Sequence, residues 1–288
     1  MANFPDRVIV LDASVPPVVP GFESLNPSDK STDWQIIPGA RRFDYDTQIC
    51  DPEATLPHMM PSPQQFQSEA RGLGINSDSL LVVYDDVGIY ASPRAWWMLR
   101  AMGHTAVAVL DGGLRAWIDA GGELERVAAV WHEGKQGDGA EYPLGNFTAH
   151  PQAEAFISSA DVMVFLSDPN ARVLDARSLA RFNAEAPEPR PGVRGGHMPG
   201  AQNFPFPSVL EGGRMKSADD LVQLFAGVAE PDQRLVTSCG SGLTACVLTL
   251  GAAIAGYDKL SVYDGSWADW GSDESLPVVV GNEVDQEV

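Results

Sequence analysis

The stretch Cys239-Gly-Ser-Gly-Leu-Thr-Ala-Cys246 follows the apolar pair Leu235-Val236 and leads into the apolar run Val247–Tyr257. It sets a thiol where a strand ends and a helix begins. Gly240 and Gly242 let the backbone curl so that successive N–H groups point inward, forming a nest at a helix N-terminus. A cysteine sulfur at the centre of such a nest is favoured as the thiolate, its nucleophilic form. The same donors would hold negative charge on a second sulfur carried by the cysteine, as in a persulfide. The competing reading is a glycine-rich turn with an inert, buried thiol. The three cysteines, Cys50, Cys239 and Cys246, are an odd number with no CxxC or zinc-ligand spacing, so a free thiol is expected and a disulfide framework or metal site is not. Cys246, in an apolar helix, fits a buried core residue. Cys50, in a polar loop, is either incidental or redox-sensitive.

The elements around the loop occur twice. Residues 80–122 align with 233–275 at a constant offset of 153, pairing Gly103 with Gly256, Asp111-Gly112 with Asp264-Gly265, and Trp117 with Trp270. Upstream, VIVLDAS (8–14) resembles RVLDARS (172–178), and PGARRFDYD (38–46) resembles PGAQNFPFP (199–207). The repeat suits a whole domain rather than a solenoid unit. Each copy alternates strands and helices, the pattern of a parallel sheet flanked by helices. In the second copy RVLDA, RLVTS and KLSVYD read as strands, and LVQLFAGV and TACVLTLGAAIAGY as helices. Such sheets bind ligands beyond the carboxyl ends of their strands, which is where Cys239 is expected. At the paired position of the first copy stands Asp86. We therefore expect a first domain over 1–140 that lacks the nucleophile, a linker over 141–155, and a catalytic domain over 156–288.

Nineteen basic against 39 acidic residues give a formal charge of −20. That surface repels nucleic-acid phosphates and anionic membranes. No apolar run reaches the roughly 18 residues of a membrane span, and the start MANFPDRVIVLDAS lacks the basic and apolar regions of a secretory signal. A cytoplasmic protein without nucleic-acid or membrane partners is expected. An anionic substrate would need a local positive site.

The loop and the duplication together resemble the rhodanese superfamily of two-domain sulfurtransferases, and within it the 3-mercaptopyruvate sulfurtransferases. The resemblance rests also on DARSLARF (175–182), PEPRPG (187–192), GGHMPGAQNFPF (195–206), YDGSWADWG (263–271) and, in the first copy, LDGGLRAW (110–117). It implies two tandem rhodanese-like α/β domains with the site in the cleft. Thiosulfate-specific members carry cationic residues directly after the cysteine, whereas here Gly240 and Ser241 follow it. The related phosphatases end an enlarged loop with an arginine, and none is present here.

The resemblance further implies residue roles. Cys239 is the nucleophile, and Arg181 and Arg190 grip the carboxylate and carbonyl of the donor, 3-mercaptopyruvate. Gly240, Gly242, Leu243 and Thr244 belong to the loop that cradles the persulfide. Ser241 works with an aspartate of the first domain, Asp46 with Asp44 as the fallback, and His58 extends that pair. Arg177 and Arg194 are read as structural or rim residues, His197 as structural, and Trp96, Trp97, Trp117, Trp267 and Trp270 as packing. The implied reaction is ping-pong transfer to cyanide, a small thiol or a thioredoxin-like protein, with no metal or organic cofactor. A thiosulfate-preferring enzyme and a non-enzymatic persulfide carrier stand as alternatives.

Overall fold

Strands covered on both faces by helices have no polar side to present, so their sequences read as nearly continuous apolar runs. The computed structural model describes residues 7–26, 33–128 and 142–281. The chain divides into two compact units, residues 1–53, 60–152 and 212–215 in the first, and 54–59, 153–211 and 216–288 in the second. The first unit contains β1 (Val8–Asp12), β2 (Trp34–Ile36), β3 (Arg41–Arg42), α1 (Pro63–Gly72), β4 (Leu80–Tyr84), α2 (Ser92–Ala101), β5 (Val107–Val109), α3 (Gly113–Asp119) and β6 (Glu125–Val127). Its parallel sheet has the order β3-β1-β4-β5, and β2 pairs antiparallel with β6.

The second unit contains β7 (Phe156–Ile157), α4 (Ser159–Leu166), β8 (Ala171–Asp175), α5 (Leu179–Phe182), β9 (Gln202–Asn203) and β10 (Leu210–Glu211). After β11 (Arg214–Met215), which belongs to the first unit, it continues with α6 (Ala218–Ala226), β12 (Arg234–Ser238), α7 (Ala245–Ile254), β13 (Leu260–Tyr263) and α8 (Ser266–Trp270). Its parallel sheet runs β7-β13-β12-β8-β9, with β12 at the centre. Reading from the other edge, β9-β8-β12-β13 repeats the order of the first unit. The offset of 153 pairs β4 with β12, α2 with α7, β5 with β13 and α3 with α8.

Local signals explain the helix limits. Ser217 accepts from the Asp220 N–H and starts α6 three residues before the expected Leu221. Gly256, at φ +95°, follows α7 and stops it short of Tyr257. α7 is buried along nearly its whole length, Ala245 through Ala252, as expected for a helix without a polar face. Trp267 and Trp270 are fully buried in the core of the second unit with Val173, Val236 and Tyr263. Trp96 and Trp97 are buried in α2, and Trp117 lies against the core of the first unit. His197 is also structural: its ring stacks on Phe182 with centroids 3.7 Å apart, and its backbone bridges Val279.

Residue 141 of the expected linker lies outside the described residues. Residues 142–152 run with the first unit, where Gly145, Phe147, His150 and Gln152 donate backbone hydrogen bonds to Arg71, Ile75, Met102 and Ala101.

Candidate active site

β12 delivers Ser238 and Cys239 to the carboxyl end of the central strand, and α7 begins at Ala245. The backbone between them is fixed from its carbonyl side. Trp267 N–H donates to the Cys239 carbonyl at 3.0 Å, and Ala268 N–H to that of Gly240 at 2.9 Å. The Cys246 thiol lies 3.3 Å from the Gly242 carbonyl, and Cys246 N–H donates to that of Leu243 at 3.1 Å. In a trans peptide the N–H points opposite the C=O. These four carbonyl contacts therefore turn the N–H groups of Gly240, Ser241, Leu243 and Thr244 the other way. Those four N–H groups donate to no protein group among the described residues. Gly242 sits at φ +75°, a conformation that suits glycine. Ser266 anchors the start of the loop: its Oγ accepts from Cys239 N–H at 3.1 Å and donates to the Tyr263 carbonyl at 2.8 Å.

Arg181 reaches this loop from α5. A Cβ placed on Gly240 would lie 3.2 Å from Arg181 Nη2, so only glycine leaves ordinary clearance there. Glu188 holds the guanidinium, accepting from Arg181 Nε at 3.2 Å and from Nη2. The same carboxylate accepts from Arg177 Nη1 at 2.8 Å, and Arg177 is clamped in turn by Asp175 and the Gly196 carbonyl. Burial pulls the Arg177 guanidinium down, but the neighbouring carboxylates of Asp175 and Glu188 outweigh it and leave the group held above its ordinary value. Arg177 is thus a fully buried structural residue and not a rim residue. Arg194 is structural too, donating to the carbonyl of Trp270, the last residue of α8, and to those of Gly271, Asp273 and Leu276 beyond it. Arg190 differs from both: it is exposed and makes no hydrogen bond or ion pair among the described residues.

The second unit therefore brings together Cys239, the loop donors, Ser241 and Arg181. Asp46 belongs to the first unit, while His58 falls within the second, at φ +62°. Asp44 caps its own turn: its carboxylate accepts from Asp46 N–H, Thr47 N–H and the Thr47 hydroxyl. Asp46 is the exposed one of the two. Among the described residues no group of three or more His, Cys, Asp or Glu side chains is placed to hold a metal, and no helix is long and apolar enough to cross a membrane. Sequence reasoning did not single out Glu188, although it lies inside PEPRPG, nor Ser266, inside YDGSW. An acidic residue between two arginines was the available signal for Glu188.

The first unit shows the same turn in another state. Asp85 Oδ1 accepts from the N–H groups of Val87 and Gly88, at 3.1 and 3.0 Å. Its Oδ2 accepts from the N–H groups of Tyr90, Ala91 and Ser92, at 3.1, 2.9 and 2.7 Å, and from the Ser92 hydroxyl at 2.6 Å. Asp86, at the position of Cys239, is buried, with Oδ2 bonded to Ser24 and to Asn26 N–H and with Oδ1 unpaired among the described residues. Burial pushes its carboxyl up to about 6, against the Ser24 hydrogen bond and with Asp12 and Asp85 adding to the rise. A carboxyl raised in the folded state contributes stability below its unfolded value, and that contribution is lost as pH rises through the folded one. Asp86→Asn is therefore expected to be more stable than wild type at pH 8, by up to about 3 kcal/mol, with the gap closing toward pH 4. Urea unfolding at the two pH values checks this, and a gap that persists at pH 4 would rule out the titration of Asp86 as its cause.

The fold, a twice-built parallel α/β unit with a cysteine in an N–H-lined turn, defines the class. The family described as Rhodanese-like domain matches residues 26–120 and 158–273, and the chain belongs to the rhodanese family. It is a sulfurtransferase enzyme. Over 273 residues it is 40% identical to the 3-mercaptopyruvate sulfurtransferase of Escherichia coli strain K12, spanning 94% of this chain and 92% of that protein. It is 37% identical over 239 residues to the human 3-mercaptopyruvate sulfurtransferase, spanning 81% and 76%. The crystal structure of SseA from Escherichia coli, a 3-mercaptopyruvate sulfotransferase of the rhodanese fold, matches with a TM-score of 0.73 at 35% identity, over 91% of this chain and 94% of that one. Tum1 protein from Saccharomyces cerevisiae matches with a TM-score of 0.78 at 26% identity, over 96% and 92%.

Proposed function

We propose that the chain moves sulfane sulfur from 3-mercaptopyruvate to a thiol, cyanide or a thioredoxin-like protein through a persulfide on Cys239. The observation that carries this reading is the set of four N–H groups turned inward beside Cys239, with the Arg181 guanidinium against Gly240. The Cys239 thiolate attacks the donor sulfur. An S–S bond forms, the donor C–S bond breaks, and its electron pair leaves on pyruvate enolate, which takes a proton to become pyruvate. The donor's thiol hydrogen starts on the outer sulfur, and its loss leaves a persulfide anion for the loop donors to stabilise. An acceptor thiolate or cyanide then takes the outer sulfur and returns the Cys239 thiolate.

Arg181 and Arg190 hold the donor's carboxylate and carbonyl, a task suited to the planar fork of guanidinium donors. Ser241 assists proton movement, and Asp46, with His58 beyond it, stays in the proposal on the resemblance alone. The three free cysteines fit the reducing cytoplasm. Arg190→Ala is expected to raise the donor KM by about 10- to 100-fold. Its unfolding free energy should stay within about 0.5 kcal/mol of wild type, because the exposed side chain makes no hydrogen bond or ion pair among the described residues. Steady-state kinetics with unfolding on the same sample check both parts.

Intact mass after exposure to 3-mercaptopyruvate, with pyruvate release followed in parallel, tests the reading. A gain of one sulfur atom matched by pyruvate supports it. A gain with thiosulfate alone moves the enzyme to the neighbouring donor class. No gain with either donor overturns it.

A further inference from the structure

We propose that the residue immediately before each loop decides whether that unit can hold an external anion, and that Ser238 is the determinant that permits sulfur loading in the second unit. This rests on reading Cys239 as the sulfur carrier. At the offset of 153, Asp85 corresponds to Ser238, and Val87, Gly88, Tyr90 and Ala91 correspond to Gly240, Ser241, Leu243 and Thr244. In the first unit all four of those N–H groups donate to the Asp85 carboxylate. In the second unit the four counterparts donate to no protein group among the described residues, and the buried Ser238 Oγ has no hydrogen-bond partner.

The two loops are thus the same anion nest, and the chain supplies its own anion to the first. A carboxylate carried from within displaces any other negative group, because one set of donors cannot serve both. The first unit is closed to sulfur by Asp85 as well as by the missing thiol. Ser238 ends one carbon and one charge short of that carboxylate. It leaves the donors to the negative charge that develops on the sulfur bound at Cys239.

The test compares Ser238→Asp and Ser238→Asn with wild type, by unfolding midpoint and by rate of sulfur loading from 3-mercaptopyruvate. Ser238→Asp is expected to unfold at a higher midpoint than Ser238→Asn, because its carboxylate meets four donors. It is expected to load sulfur at least about 100-fold more slowly than wild type. Loading by Ser238→Asp at the wild-type rate would overturn the proposal. So would a midpoint for Ser238→Asp below that of Ser238→Asn, since the loop would then not accept a carboxylate from within. In the first unit, Asp85→Ser is expected to lose stability and to regain part of it in sodium formate relative to sodium chloride at equal ionic strength. An equal response to both salts would overturn the assignment of the first loop. If wild type itself loads no sulfur, the functional reading fails, while the order of midpoints and the formate response still decide whether the nest is anion-specific.

Discussion

Cys239→Ser is expected to yield a folded protein that gains no sulfur from any donor, with sulfur transfer reduced by at least about 10⁴-fold. The substitution removes the only strong nucleophile at the loop and little else. Cys239 is 2% exposed, and its backbone is tied through Ser266 and Trp267, contacts that do not involve the thiol. The unfolding free energy should therefore stay within about 2 kcal/mol of wild type. Neither remaining cysteine is suited to replace it. Cys246 is fully buried in α7 with its Sγ on the Gly242 carbonyl. Burial pushes the Cys50 thiol up, and the negative charges of Asp44, Asp46 and Asp51 push it further, so its thiolate is disfavoured. Sulfur appearing on Cys239→Ser at the wild-type rate, located by peptide mass, would show that another thiol is the carrier.

What the sequence disclosed follows from which features are local. The duplication and the strand–loop–helix pattern are carried by contiguous residues, and β12, the loop and α7 appear where the glycines and apolar runs put them. The turn of the loop carbonyls toward α8 was not legible, because Trp267 and Ala268 lie 28 residues beyond Cys239 and Gly240 and nothing local links them. Glu188 was hidden for a similar reason: its importance comes from holding two arginines at once, a fact of three dimensions. Asp85 was hidden by its neighbour. The correspondence of Asp86 with Cys239 drew attention to the missing thiol, whereas the residue before it is the one that fills the first loop.

Arg177→Met is expected to be the most destabilising change near the site, at about 3–5 kcal/mol, even though Arg177 does not reach the loop. Asp175 and Glu188 are both buried, and Arg177 bonds to each. Removing the cation leaves two desolvated carboxylates, of which Glu188 retains, among the described residues, the partly exposed Arg181. The guanidinium also lies 4.2 Å from the Trp267 ring centroid, a contact a thioether replaces only in part. Glu188 should then draw on Arg181 alone, and the donor KM should rise together with the loss of stability. Arg194 provides the contrast, since its partners are backbone carbonyls and its loss strands no buried charge. A double-mutant cycle separates the pair from general damage. If the stranded carboxylate is the cause, Arg177→Met with Glu188→Gln should be less destabilised than the sum of the single changes, by at least about 1 kcal/mol. Simple additivity in urea unfolding would mean that lost packing on Trp267, and not the uncompensated charge, accounts for the effect.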